Sequence, residues 1–73
     1  MLTVTIENEF GGVVNNLQFS GRSEAIRNAK AGAKHEQGRA VISDEDDALV
    51  YEFKYEDGTV NGYDDEGNQV FNV

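Results

Sequence analysis

Apolar and polar residues alternate with a period of two along most of this chain, and with a helical period over one stretch only. Leu2, Val4 and Ile6 fall on one side of a short run, with Thr3 and Thr5 on the other, which predicts a half-buried strand. Glu7 to Asn16 carries the breakers Gly11-Gly12 and Asn15-Asn16 and is expected to be a loop or a wide hairpin connection. Leu17 and Phe19, separated by Gln18 and stopped by Ser20-Gly21, predict a short second strand whose pairing with the first is left open.

The helical period runs from Ser23 to His35. Ser23 is the expected N-cap, and Glu24 suits the positive end of the helix dipole. Lys30 and Lys34 come late, where cations suit the negative end, and Gly38 supplies a stop. The apolar stripe is Ala25, Ile26, Ala29 and Ala33. These side chains are small, so the helix should lie close against a sheet. Gly32 should weaken it by roughly 1 kcal/mol relative to Ala, and a helix this short depends on docking.

Arg39–Ser43 predicts a third strand, Asp44–Asp47 an acidic turn, and Ala48–Glu56 the longest strand. In that strand Leu49, Tyr51, Phe53 and Tyr55 share the face expected to meet the helix; Val50, Glu52, Lys54 and Glu56 share the other. Asp57-Gly58 between alternating strands predicts a two-residue type I′ hairpin. It pairs Glu56 with Thr59, sets Val60 on the core face beside Tyr55, and turns Asn61 and Tyr63 outward. Glu66-Gly67 marks a further turn, for which a two-residue loop pairing Asp65 with Asn68 puts Phe71 and Val73 on the core side. The pattern β(β)αββββ predicts an α+β fold: an antiparallel sheet of about five strands with one helix packed on one face.

At 73 residues the whole of 1–73 is one domain with a small core. There is no Cys, one His and no Pro, so a disulfide framework and a Cys/His zinc site are both excluded. No apolar run is long enough for a membrane helix, and the N-terminus lacks the features of a secretory signal. A cytoplasmic protein with no membrane association is the expectation.

The charge is lopsided. Of fourteen carboxylates, ten fall between Asp44 and Glu66 (Asp44, Glu45, Asp46, Asp47, Glu52, Glu56, Asp57, Asp64, Asp65 and Glu66), against one base, Lys54. A net charge of −8 repels nucleic acid and anionic membranes and favours basic partners. No nucleophile–base set or phosphate-cradling loop accompanies the carboxylates, and His35 sits at a helix end, so no enzyme and no catalytic residue is expected. The runs Asp44–Asp47 and Asp64–Asn68 offer oxygen ligands but do not match the EF-hand pattern; no metal and no cofactor is expected.

Two binding surfaces follow. Asp46, Asp47, Glu52, Glu56, Asp57, Asp64, Asp65 and Glu66, with Tyr63 as an outward aromatic anchor, form a candidate surface for a basic partner. Arg27, Lys30 and Lys34, at helical spacing among the bases Arg22 and Arg39, form the alternative: a basic helix contacting nucleic-acid phosphates. Direct nucleic-acid binding is disfavoured by the acidic remainder.

The small size, the absence of Cys, the acidic runs Asp44–Asp47 and Asp64–Glu66, and the strand order around the SEAIRNAKAGAK helix together resemble a class. The chain looks like the small acidic anti-CRISPR and anti-restriction inhibitors of phages and mobile elements. That resemblance implies a DNA mimic acting in the host cytoplasm on the basic surface of a defence complex or nuclease, and it assigns no role to any residue by position. The expected function is thus a non-enzymatic inhibitor, monomeric or weakly dimeric, whose partner is a basic nucleic-acid-binding protein. An acidic structural domain adapted to high salt is the remaining alternative.

Overall fold

The computed structural model describes residues 1–72, with side chains as far as Val70. Strands β1 (Leu2–Glu7) and β2 (Val13–Phe19) precede the helix α1 (Arg22–Glu36). Strands β3 (Arg39–Ser43), β4 (Leu49–Glu56), β5 (Thr59–Asp64) and β6 (Gln69–Asn72) follow it. The strands form one antiparallel sheet in the order β2-β1-β3-β4-β5-β6. The helix crosses one face, mainly over β1 and β3. This is the α+β two-layer fold expected, with six strands.

The core is where the alternation put it. Val4, Ile6, Ala40, Ile42, Phe53 and Val60 point from the sheet into Ala25, Ala29 and Ala33 of the helix. Those alanines let the two layers approach closely, and so does Gly32. A Cβ at Gly32 would collide with the Ile6 side chain, so the residue that weakens the helix by propensity is the one that admits Ile6 beneath it. Gly38 is fixed by a similar approach, since a Cβ there would run into the backbone of Glu7 and Asn8.

Four expectations need correction. Helix α1 begins at Arg22 behind Gly21, which makes no side-chain cap, so Ser23 lies inside the first turn. At the other end Gln37 takes the left-handed conformation (φ 53°), and the Gly38 N–H closes the helix onto the Ala33 carbonyl at 3.0 Å. Strand β2 starts at Val13, directly after a tight turn over Asn8–Gly12, and pairs with β1 with a register shift opposite Ile6/Glu7 that skips Val14. Asn15-Asn16, read as breakers, lie within that strand, where Asn16 Nδ2 donates to Thr5 Oγ1 at 3.2 Å. In β4 a register shift opposite Ile42/Ser43 leaves Leu49 exposed and packs Val50 against the core, the reverse of strict alternation.

The fourth correction concerns the turn before β6. Asp64 N–H donates to the Asn68 carbonyl, so the loop is one residue longer than expected. A register shift between Gly62 and Tyr63 then absorbs the extra residue, and Phe71 pairs with Gly62. Backbone parity at position 71 is therefore restored by a bulge. Whether the Phe71 side chain and Val73 join the core lies outside the described residues.

Three hairpin turns share one construction. Asn8, Asp44 and Asp64 each accept two backbone N–H groups on the side-chain Oδ1, from the residues two and four positions on, at 2.9–3.0 Å. The residue three on takes the left-handed conformation: Gly11 (φ 85°), Asp47 (φ 64°) and Gly67 (φ 84°). This is a type I turn running into a bulge, held by an Asn or Asp at its start. Asp57 and Gly58, both at positive φ, make the type I′ turn that the Asp-Gly pair predicted, with Glu56 opposite Thr59 and Tyr55 opposite Val60.

Candidate acidic interface

Strands β3 and β5 run the same way, so the turns that follow them emerge at the same end of the sheet. Asp44, Glu45, Asp46 and Asp47 therefore stand beside Asp64, Asp65 and Glu66, two strand spacings apart, or about 10 Å. Glu45, Asp46, Asp47, Asp65 and Glu66 are exposed. Asp44 and Asp64 each accept two turn amides on Oδ1. The hydrogen bonds from Asn68 and Glu66 hold the Asp64 carboxyl below the usual carboxylate range. The N-terminal ammonium pairs with Glu45 and lowers its pKa in the same way. Ligand oxygens of Asp64, Asp65 and Glu66 lie within 4.8 Å of one another, the one such group among the described residues; Asp65 and Glu66 are exposed and Asp64 is half-buried.

The open face of the sheet, opposite the helix, differs in kind. Arg39 lies between Glu7 on β1 and Glu52 on β4, bonding Glu52 through Nε and Glu7 through Nη1 at 3.0 Å. The Glu52 contact first, and the Glu7 charge after it, raise the Arg39 pKa. Next to this cluster the Lys54 ammonium sits 5.4 Å from the centre of the Tyr63 ring. The Tyr63 hydroxyl donates to Glu56 at 2.8 Å, and Asn61 Nδ2 donates to the same oxygen at 3.1 Å. Those two bonds, Asn61 first, lower the Glu56 pKa, while Glu56 raises that of Tyr63.

The residues proposed for a basic partner thus fall into three places. Asp46, Asp47, Asp64, Asp65 and Glu66 gather at one end. Glu56 and Asp57 lie at the opposite end of the β4–β5 hairpin. Glu52 and Tyr63 are on the open face between them, where Glu52 is committed to Arg39. Arg39 had been grouped with the helix; its parity in β3 instead places it beside Val41 on the far face. That parity, read against Glu52 in β4 and Glu7 at the end of β1, was the signal that could have found the cluster.

The helix bases stay away from the acidic end, except Arg22, whose guanidinium lies 5.8 Å from the centre of the Tyr51 ring. Arg27, Lys30 and Lys34 converge on one groove of about 500 Å³ floored by Ile26, Ala31 and Val60. No helix among the described residues is long and apolar enough to cross a membrane. No protein-family model, curated protein or solved structure matches the chain.

Proposed function

We propose that this chain is a non-enzymatic binding protein that occupies the basic, nucleic-acid-handling surface of another protein, as an inhibitor of the anti-CRISPR or anti-restriction kind would. One observation carries the reading: two turns of the same construction set seven carboxylates side by side at one end of the sheet. The two turns follow strands about 10 Å apart, so one basic cleft built for nucleic-acid phosphates can meet both at once. Main-chain bonds to Asp44 and Asp64 fix the turns beforehand, so little ordering cost is left for binding.

The test is capture from a bacterial lysate on the immobilised chain, with elution by salt and by duplex DNA. Basic nucleic-acid-binding proteins should be retained, released by either eluent, and lost when Asp46, Asp47, Asp65 and Glu66 are replaced by their amides. Retention that ignores those four substitutions overturns the reading. The rival surface has its own support in the convergence of Arg27, Lys30 and Lys34 on one groove. Exchanging those three for Glu should leave capture intact; its loss, together with duplex binding by the native chain, would favour a nucleic-acid module instead.

A further inference from the structure

We propose that the groove between helix α1 and the start of strand β5 binds a small amphipathic carboxylate, an apolar body with one anionic head. The inference is independent of the acidic end. The helix lies mainly over β1 and β3, which leaves its flank toward β5 thinly covered and opens the groove there. Its volume of about 500 Å³ falls within the roughly 300–1,000 Å³ of small-molecule sites. Arg27, Lys30 and Lys34 line it with Ile26, Ala31 and Val60. Among the described residues no carboxylate lines it, although the chain carries fourteen acids against six bases. Half of the bases therefore gather at one apolar groove.

The helix surface indicates where head and body go. Arg27 stands four residues before Ala31 and Lys34 three after it, so both are its neighbours on the outer side of the groove. Arg27 and Lys34 are exposed, and neither has an ion-pair partner among the described residues. Ala31 is exposed as well and offers only a methyl, which leaves the space between the two cations open. An anionic head over Ala31 meets a guanidinium on one side and an ammonium on the other. Ile26 is half-buried and Val60 buried, so an apolar body that extends inward from the head leaves water as it reaches them.

Charge favours one head over a polyanion. A nucleic-acid backbone runs on past the three cations toward Glu24 and Glu36 at the two ends of the helix, and toward Glu56 and Asp57 at the hairpin turn before Val60. Repulsion by a net charge of −8 grows with every phosphate added, whereas a monoanion meets it once. Phosphates also offer nothing to Ile26 and Val60, which an apolar body covers. A neutral or cationic amphiphile would fill the same floor and forgo the pairing with Arg27 and Lys34. The match is thus to a ligand that is apolar over most of its length and singly negative at one end.

The experiment is an NMR amide titration of the full chain with decanoate, and with decanol, decyltrimethylammonium and acetate as probes that lack the head charge, invert it or lack the body. Decanoate should shift the amides of Ile26, Arg27, Ala31, Lys34 and Val60 together and saturate with a dissociation constant on the order of 0.1–1 mM. Decanol should bind about tenfold more weakly, and the ammonium and acetate should leave these amides unmoved. Ala31→Glu, which sets a carboxylate where the head would lie at an exposed helix position, should weaken decanoate about tenfold, and so should Arg27→Gln with Lys34→Gln. Amide substitutions at Asp46, Asp47, Asp65 and Glu66 should leave it unchanged, which separates this site from the acidic end. Equal binding of the three decyl probes, decanoate binding that survives the groove substitutions, or shifts centred elsewhere would each overturn the proposal. A short DNA duplex that moves these amides when decanoate does not would also refute it, in favour of a nucleic-acid surface.

Discussion

The open face of the sheet and the acidic end beyond β3 and β5 are built from the same residue types and behave oppositely. On the open face three acids, Glu7, Glu52 and Glu56, meet two bases, Arg39 and Lys54, and every one of these charges has a described partner or ring. At the acidic end seven carboxylates meet the N-terminal ammonium and otherwise face water or their own turn amides. Strands hold side chains at fixed cross-strand spacing, so opposite charges can be matched residue by residue. Turns project side chains outward with nothing opposite, so like charges accumulate at the cost of mutual repulsion. The face is therefore suited to stability and the end to recognition.

The comparison breaks most readily at the end. Replacing Asp46, Asp47, Asp65 and Glu66 by their amides should weaken binding to a basic partner by about a hundredfold, roughly 2.7 kcal/mol. The fold should be kept, since Asn also suits the left-handed position of Asp47. The same variant should flatten the rise in stability that the native chain shows as added salt screens the repulsion, followed by urea melts from low salt to molar salt. A variant that loses its fold would show that the end is structural.

On the face, Arg39→Leu strands Glu7 and Glu52 beside each other. The expected cost is about 1–2 kcal/mol, discounted because the Arg39 side chain is 43% exposed. Urea denaturation measures it, and adding Glu52→Gln should recover part of the loss; no recovery would mean the pair is not coupled.

Asp64→Ala should cost less, and its effect should depend on pH. The folded carboxyl lies below its ordinary value because of the turn amides. Its contribution is thus present above the unfolded pKa, near 4, and is lost as pH falls through the lower folded value. The variant and native chains should converge in stability in strong acid. A gap that persists there would assign the effect to the turn geometry alone.

The smallest effect belongs to Tyr63→Phe. Glu56 raises the Tyr63 pKa, so that bond contributes below the unfolded phenol value, near 10, and is lost as pH rises through the folded one. The variant should lack this alkaline loss, and by NMR titration the Glu56 carboxyl should move up toward its ordinary value. An unmoved carboxyl would leave Asn61 as its sole effective donor.

Much of the fold is legible in local chemistry. The period-two runs set β3 and β5, the Asp57-Gly58 pair set its own turn and register, and the small stripe Ala25, Ala29, Ala33 set a close helix–sheet contact. What misled were residues whose role depends on distant neighbours. Asn15-Asn16 looks like a break until Thr5 is brought alongside, and Gly32 looks like a weak point until Ile6 is beneath it. The repeated Asn/Asp-x-x-Gly/Asp spacing was present in the sequence, but its meaning lay in three bulges that only strand pairing reveals.

By itself the sequence determined that the fold is one helix on an antiparallel sheet, and that its negative charge belongs to the second half. Composition and alternation are local quantities, and both survive any arrangement of the strands. Only the tertiary structure decided which carboxylates are matched and which stand free. That depends on strand order and direction: β3 running parallel to β5 gathers two acidic turns at one end, while antiparallel pairing of β3 with β1 and β4 sets Arg39 between Glu7 and Glu52.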